Sequence, residues 1–455
     1  MTRSSSGGIP PSCARERSSP STTPWRKQER GSQPRGEGRS VWHLDFVREL
    51  TVNNANVYSP TATNATPTSL LRRQYNQVIN GHRYNYFDAN AYHIFAWKNF
   101  RNTVLIGAGG GGEFFGNQRI SFGPNQTATQ AITLINPITG LYAYPADGTG
   151  QTAQDTWQTT IGEYISDQAQ IGEKIHVSAG LRYDSQKVHG IDTLNPIKTP
   201  YFSQGVNAVT KQLGAVYDLT QKLSAYASWS TSVKPSATIA VDSSGNSSFP
   251  PETGEQYEAG LKFETPAKNV NIDLAAYRID RNNVLVASGT NLPSGQAISR
   301  LDGLQRSTGY ELEVQWQPLP NWQVQAGAAY DKPIIMQSLK NPTTVGLDLA
   351  NAPRQSGSLY TRYNFPAGGL KGLGVSFGFI DVGRSWAGDP TTKVYYRLDA
   401  WTRADAAIFY RWRKYDMALN IQNAFDHRYI ASAQSALTLN VGEERKLIFS
   451  IGRKF

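Results

Sequence analysis

Residues 174–184 read Lys-Ile-His-Val-Ser-Ala-Gly-Leu-Arg-Tyr-Asp. Ile175, Val177, Ala179, Leu181 and Tyr183 fall on one side of an extended chain; Lys174, His176, Ser178, Gly180, Arg182 and Asp184 fall on the other. A period of two with one apolar and one polar face is the signature of a strand. The pattern recurs. Tyr310, Leu312, Val314 and Trp316 oppose Glu311, Glu313 and Gln315. Trp322, Val324, Ala326, Ala328 and Tyr330 oppose Gln323, Gln325, Gly327, Ala329 and Asp331. Leu223, Ala225, Ala227 and Trp229 oppose Ser224, Tyr226, Ser228 and Ser230.

Alternation alone fits a soluble sandwich as well as a membrane barrel. Two further features favour the barrel. Aromatic residues (Trp316, Trp322, Tyr330, Tyr183) stand at strand ends around small or aliphatic ones, which is the girdle arrangement of lipid-facing strands. The connections are also unequal. Residues 317–321 and 412–414 are tight, whereas roughly 120–155, 185–206, 234–254 and 332–352 are long and polar. Short turns at one end and long loops at the other predict an all-β, transmembrane antiparallel β-barrel over residues 41–455. Closure follows from the solvent, because lipid satisfies no unpaired strand edge. The segment holds about 18 candidate strands at the ~10-residue length of membrane barrels.

Composition agrees. Of 455 residues, 18% are charged and 11% aromatic, against the ~25% charged of soluble chains. No run approaches the ~18 apolar residues of a membrane helix; Thr103–Gly112, the longest candidate, is half glycine. The single Cys13 excludes a disulfide framework, and the six histidines have no metal-ligand spacing. The net charge of +10 suggests nucleic acid or anionic lipid. Yet residues 1–40 hold eight Lys/Arg against three Asp/Glu, half of that excess, so no nucleic-acid partner is predicted. These 40 residues contain 19 Ser, Pro or Gly. They read as a disordered basic segment, without the apolar stretch of a signal peptide. They are either a foreign upstream or truncation scar or a functional basic tail.

Catalytic motifs fail on context. Gly107–Gly112 fits GxGxxG but no helical period follows. Gly374-Val-Ser376-Phe-Gly378 fits GxSxG but alternates as a strand, not a strand-to-helix elbow. Glu311/Glu313 and Glu443/Glu444 read as wetted wall or loop. The chain is therefore predicted not to be an enzyme, with no catalytic residue, no metal and no cofactor. Loop aromatics are better candidates, since tyrosine offers contact area with a polar tip. They are Tyr142 and Tyr144 in a Gly/Pro/Thr-rich connection, the group Tyr84, Tyr86 and Phe87, and the group Trp386, Tyr395 and Tyr396. Tyr142, Tyr144 and Trp386 are nominated as substrate-binding residues.

Five ordered motifs carry a resemblance. Pro251–Lys262 (PETGEQYEAGLK) closely resembles a stretch of TonB-dependent siderophore receptors, and Leu223–Pro235 (LSAYASWSTSVKP) looks like their preceding strand. Ala179–Asp184, Asn420–Tyr429 (NIQNAFDHRY) and Gly442–Arg445 with the terminal Phe455 complete the pattern. Tyr429–Phe455 looks most like the ferrichrome, or ferric-hydroxamate, branch. The resemblance spans about 157–455 and reaches more weakly to about 41. It implies a barrel of about 22 strands sealed by a plug. Loops capture a ferric siderophore, TonB–ExbB–ExbD drives release through a TonB box, and the terminal Phe455 addresses the barrel-assembly machinery. The implied location is the outer membrane of a Gram-negative bacterium. No plug, TonB box or signal peptide is recognised here. A truncated receptor whose first 40 residues are unrelated to the barrel is the expectation. Ala433 and Leu439 stand where some ferrichrome-type members carry two cysteines. A passive pore and a binding-only surface receptor remain the alternatives.

Overall fold

The computed structural model describes residues 45–53, 70–71, 74–122, 132–133, 150–192, 202–235, 241–246, 249–293, 297–339, 342–388, 396–435 and 438–453. Residues 1–40, Tyr142, Tyr144, Tyr395 and Phe455 lie outside them. The first strands are β1 (Asp45–Asn53), β2 (Leu70–Leu71), β3 (Gln74–Trp97), β4 (Phe100–Phe122), β5 (Ile132–Thr133), β6 (Gly150–Ile171), β7 (Ile175–Asp192) and β8 (Phe202–Asp218). There follow β9 (Leu223–Lys234), β10 (Glu252–Glu264), β11 (Val270–Asn282), β12 (Leu285–Asn291), β13 (Ala297–Leu301), β14 (Leu304–Leu319), β15 (Trp322–Asp331) and β16 (Ile334–Gln337). The last are β17 (Gln355–Asn364), β18 (Leu373–Val382), β19 (Ser385–Ala387), β20 (Tyr396–Leu398), β21 (Trp401–Trp412), β22 (Tyr415–Gln422), β23 (Ile430–Ser435), β24 (Thr438–Val441) and β25 (Lys446–Arg453).

Seventeen of these strands form one sheet. Sixteen follow one another as an antiparallel meander: β1, β3, β4, β6 to β11, β14, β15, β17, β18, β21, β22 and β25. Strand β16 adds a short pairing to the loop end of β14. The other eight strands pair two by two outside the wall. The count of about 18 read from the sequence is thus close to the wall itself. No helix among the described residues is long and apolar enough to cross a membrane.

Connections alternate in length along the meander. The β3–β4 turn is Lys98-Asn99, the β14–β15 turn Pro320-Asn321 and the β21–β22 turn Arg413-Lys414. Arg413 takes a left-handed backbone (φ 54°), as two-residue hairpins require. At the opposite end the links from β9 to β10, β11 to β14, β15 to β17, β18 to β21 and β22 to β25 are long. Three of them, those from β11 to β14, from β18 to β21 and from β22 to β25, fold into hairpins of their own, β12–β13, β19–β20 and β23–β24. The rim of short turns and the rim of long loops are those of an outer-membrane barrel.

Several loop boundaries move, and residues 120–122 and 150–155 belong to β4 and β6. Residues 185–192 and 202–206, read as loop, belong to β7 and β8, and β3 reaches 24 residues. About ten residues suffice to cross a bilayer, so the long strands β3, β4, β6, β7 and β8 continue beyond it as one paired sheet. The bilayer no longer imposes a two-faced pattern there, the alternation lapses (Gln186, Lys187, Val188, His189, Gly190), and the stretch no longer looks like a strand, although Val188 is buried. Tyr183 therefore lies within β7 and not at its end.

The two faces are chemically opposite. Val177 and Leu312 are 38% and 39% exposed, and Ile106, Ile165, Leu213, Leu274, Phe377 and Ile408 are exposed with them. Val324 is half-buried in the same row. These residues line the outside of the wall and cluster in no enclosed apolar centre. Apolar side chains displayed in a continuous band are stable only against hydrocarbon. The other face carries ion pairs and hydrogen bonds, as a wetted lumen does.

Candidate functional site

The lumen wall from β3 to β7 is built on a stripe of small residues. Gly107, Gly109 and Gly111 alternate with Ile106, Ala108 and Gly110 and face inward. A Cβ on Gly107 would stand 2.3 Å from the Tyr164 ring, and one on Gly109 would stand 2.7 Å from an Asp88 carboxylate oxygen. Glycine is therefore what lets the Tyr164 ring lie flat on the sheet. Its hydroxyl donates to Asp88, 3.0 Å from Oδ1. The Arg182 guanidinium lies 5.5 Å over that ring and forks onto Asp184 at 2.7–3.0 Å. Tyr84, Tyr86 and Tyr92 stay exposed beside it. The group Tyr84, Tyr86 and Phe87 read from the sequence as a loop is part of β3, and the alternation splits it: both tyrosines face the lumen and Phe87 the outside.

The opposite flank of the lumen is acidic. Glu258 accepts the Tyr226 hydroxyl at 2.7 Å, Asp273 accepts Lys262 at 3.1 Å, and Ser307 donates to Asp331. Glu311 and Glu313 project from the same face of β14, between outward Tyr310, Leu312 and Val314. Both carboxylates thus stand on the lumen face of the wall. Among the described residues no group of three His, Cys, Asp or Glu is arranged to hold a metal ion.

Above the lumen the long loops are tied to one another. Trp386 sits in β19, paired in register with Arg397, and its carbonyl accepts the Asn351 N–H at 2.7 Å. The Asn351 side chain reaches the backbone of Ala433 in both directions, donating at 2.6 Å and accepting at 2.8 Å. Buried Ala387, Leu398 and Ala433, with Ile430 against them, form a small apolar nucleus under this junction. Trp386 is thus held where three connections meet. Arg354 forks onto Asp348 at 2.7–3.2 Å, a hydrogen-bonded pair that raises the guanidinium further above its ordinary range. In the 235–251 connection the Asn246 and Ser244 amides donate to Asp242 and hold its carboxyl below the usual carboxylate range. Of the nominated residues, the structure places Trp386, and it adds Tyr164, Arg182 and Asp88.

Ala433 and Leu439 are register partners across β23 and β24. Antiparallel partners stand ~4.5–5.5 Å apart at Cα, inside the range a disulfide spans. The A433C/L439C variant is expected to oxidise to a single intramolecular bridge. Non-reducing electrophoresis and thiol counting check it, with Cys13 as the internal standard; two free loop thiols after oxidation would contradict the register.

Comparison with known proteins agrees with this geometry. Residues 5–424 match the family model described as TonB dependent receptor-like, beta-barrel. An uncharacterized TonB-dependent receptor of Haemophilus influenzae is 26% identical over 339 residues, 72% of this chain and 96% of that protein. The ferrichrome outer membrane transporter/phage receptor of Escherichia coli K12 is 28% identical over 303 residues, 66% of this chain but 38% of the transporter. The chain therefore spans well under half the length of that relative. The solved ferripyoverdine receptor of the Pseudomonas aeruginosa outer membrane superposes with a TM-score of 0.72 at 20% identity, covering 90% of this chain and 52% of the receptor. With its two-faced wall, unequal rims and family match over most of its length, the chain belongs to the TonB-dependent receptor β-barrel family of the Gram-negative outer membrane.

Proposed function

We propose that this chain forms the wall and loops of an outer-membrane receptor that captures ferric siderophores for TonB-dependent uptake. The observation that carries the reading is the lumen wall of Tyr84, Tyr86, Tyr92, Tyr164 and Arg182 lying below loops knotted at Trp386. Phenols and a guanidinium suit a ferric chelate, whose surface combines flat or apolar faces with carbonyl, amide or catechol oxygens. Named relatives that transport or receive ferrichrome, ferrioxamine B and pyoverdine support the class. Tyr142 and Tyr144 are assigned to the same ligand from the 123–149 connection. The work done is selective binding and passage, with no covalent step. TonB–ExbB–ExbD supplies the energy, and the C-terminal strand with Phe455 serves recognition by the barrel-assembly machinery.

The test is a titration of the detergent-purified chain with ferrichrome, ferrioxamine B and a ferric catecholate, followed by tryptophan and tyrosine fluorescence. Saturable quenching by one of them is expected. Trp386→Ala should weaken that binding about tenfold or more, as loss of an aromatic anchor does. Absence of quenching by every chelate, together with large steady conductance in liposomes, would replace this reading by a passive pore.

A further inference from the structure

The outside of the wall bears a second recess, well away from the lumen. Ala215, Ala227, Ala259 and Ala276 are register partners across β8, β9, β10 and β11, a row of four methyl groups in an otherwise bulky band. Leu261 and Leu274 close the row toward the short turns; Leu213, Trp229 and Tyr257 close it toward the loops. The recess so formed has a volume of about 750 Å³. Small side chains surrounded by large ones leave a shallow apolar furrow on the wall.

The rim toward the loops is charged and rigid. Glu255 accepts both the Trp229 indole N–H at 2.8 Å and the Tyr257 hydroxyl at 2.7 Å, fixing the two aromatics. Beside it, Asp280 receives Arg278 at 2.7 Å and Arg306 at 2.6 Å. Lys211 completes the row; its amide donates to Thr231, the register partner of Glu255. The row thus holds three cations and two carboxylates, and both carboxylates are already engaged by protein donors. Glu255 lies four residues along β10 from Ala259, about 13 Å at strand rise, which is the step from acyl chains to headgroups.

We propose that this face is a binding site for one phosphate-bearing lipid of the outer leaflet. An acyl chain lies in the alanine furrow, and the phosphate meets the Arg278 and Arg306 guanidiniums at the rim. The excess positive charge selects the anionic headgroup, and guanidinium matches phosphate geometry. The furrow supplies the hydrocarbon contact that a phosphate site alone lacks. Free phosphate is not the occupant, since the site lies on the lipid-facing wall.

The test uses the full chain, purified from outer membranes in a mild detergent, stripped, and then offered lipid A or phosphatidylcholine before native mass spectrometry. Retention of one lipid A, and weaker retention of phosphatidylcholine, is expected. Ala227→Leu with Ala259→Leu fills the furrow and should cut lipid A retention at least about tenfold, the folded band on unheated gels being kept. Arg278→Gln leaves Asp280 paired with Arg306, so folding is spared; it should bring lipid A down about tenfold, the worth of a charge-assisted contact. Equal retention of the two lipids by the unchanged chain, or lipid A retention unmoved by Arg278→Gln, overturns the assignment.

Discussion

Leu312→Arg is expected to block assembly of the wall, whereas Glu311→Gln, one residue away, is expected to leave it unchanged. Leu312 pairs with Leu274 and Ala328 on the outer face, between Trp316 toward the short turns and Tyr310 toward the loops. A guanidinium there stands in hydrocarbon and costs about 2–4 kcal/mol near the bilayer midplane, or roughly 30- to 1000-fold in the folded population. Glu311 faces water inside, where losing a charge costs little. The measurement is the fraction of protein that runs as the compact, heat-sensitive band after membrane insertion. Equal yields from the two variants would mean that the faces are not chemically distinct.

The second large effect is expected at Asp280. This carboxylate is 6% exposed and accepts hydrogen bonds from two arginines at once. Removing one partner of a buried ion pair costs ~3–5 kcal/mol. Arg278 is about half exposed to water, which screens part of that. Asp280→Ala should therefore destabilise by about 2–3 kcal/mol, chiefly because two guanidiniums are left facing each other. The read-out is the denaturant midpoint of the folded band. Adding Arg278→Met should recover part of the loss, a coupling that two independent sites would not show.

Much of the wall was legible in the sequence because the bilayer enforces it. Residues pointing outward are mostly apolar and their neighbours need not be, so 174–184 and 310–316 report their own orientation, whereas β6 sets Glu163 and Asp167 in the outward row with Ile161 and Ile165. Where the strands leave the bilayer that rule stops, and 185–192 ceased to look like β7. The site was harder to read for another reason. Tyr164 meets Asp88 across 76 residues and Asn351 meets Ala433 across 82. Such contacts come from register across strands, which local alternation does not carry. Arg182 and Asp184 were visible as polar-face residues, but the ring beneath Arg182 was not. Gly107–Gly112, which fits GxGxxG without the helix that motif needs, is explained once its odd members are seen to face Tyr164 and Asp88.

That glycine stripe has a geometric effect beyond the residues it accommodates. The same device recurs on the acidic flank, where a Cβ on Gly260 would stand 2.6 Å from the Tyr226 ring and one on Gly309 would stand 2.7 Å from the Tyr277 hydroxyl. Along β4, at Gly107, Gly109 and Gly111, nothing projects, and the phenol laid across the stripe adds only the thickness of a ring. On both flanks, then, a phenol is laid against the wall wherever glycine faces it, and the ring narrows the bore by its thickness and not by its length.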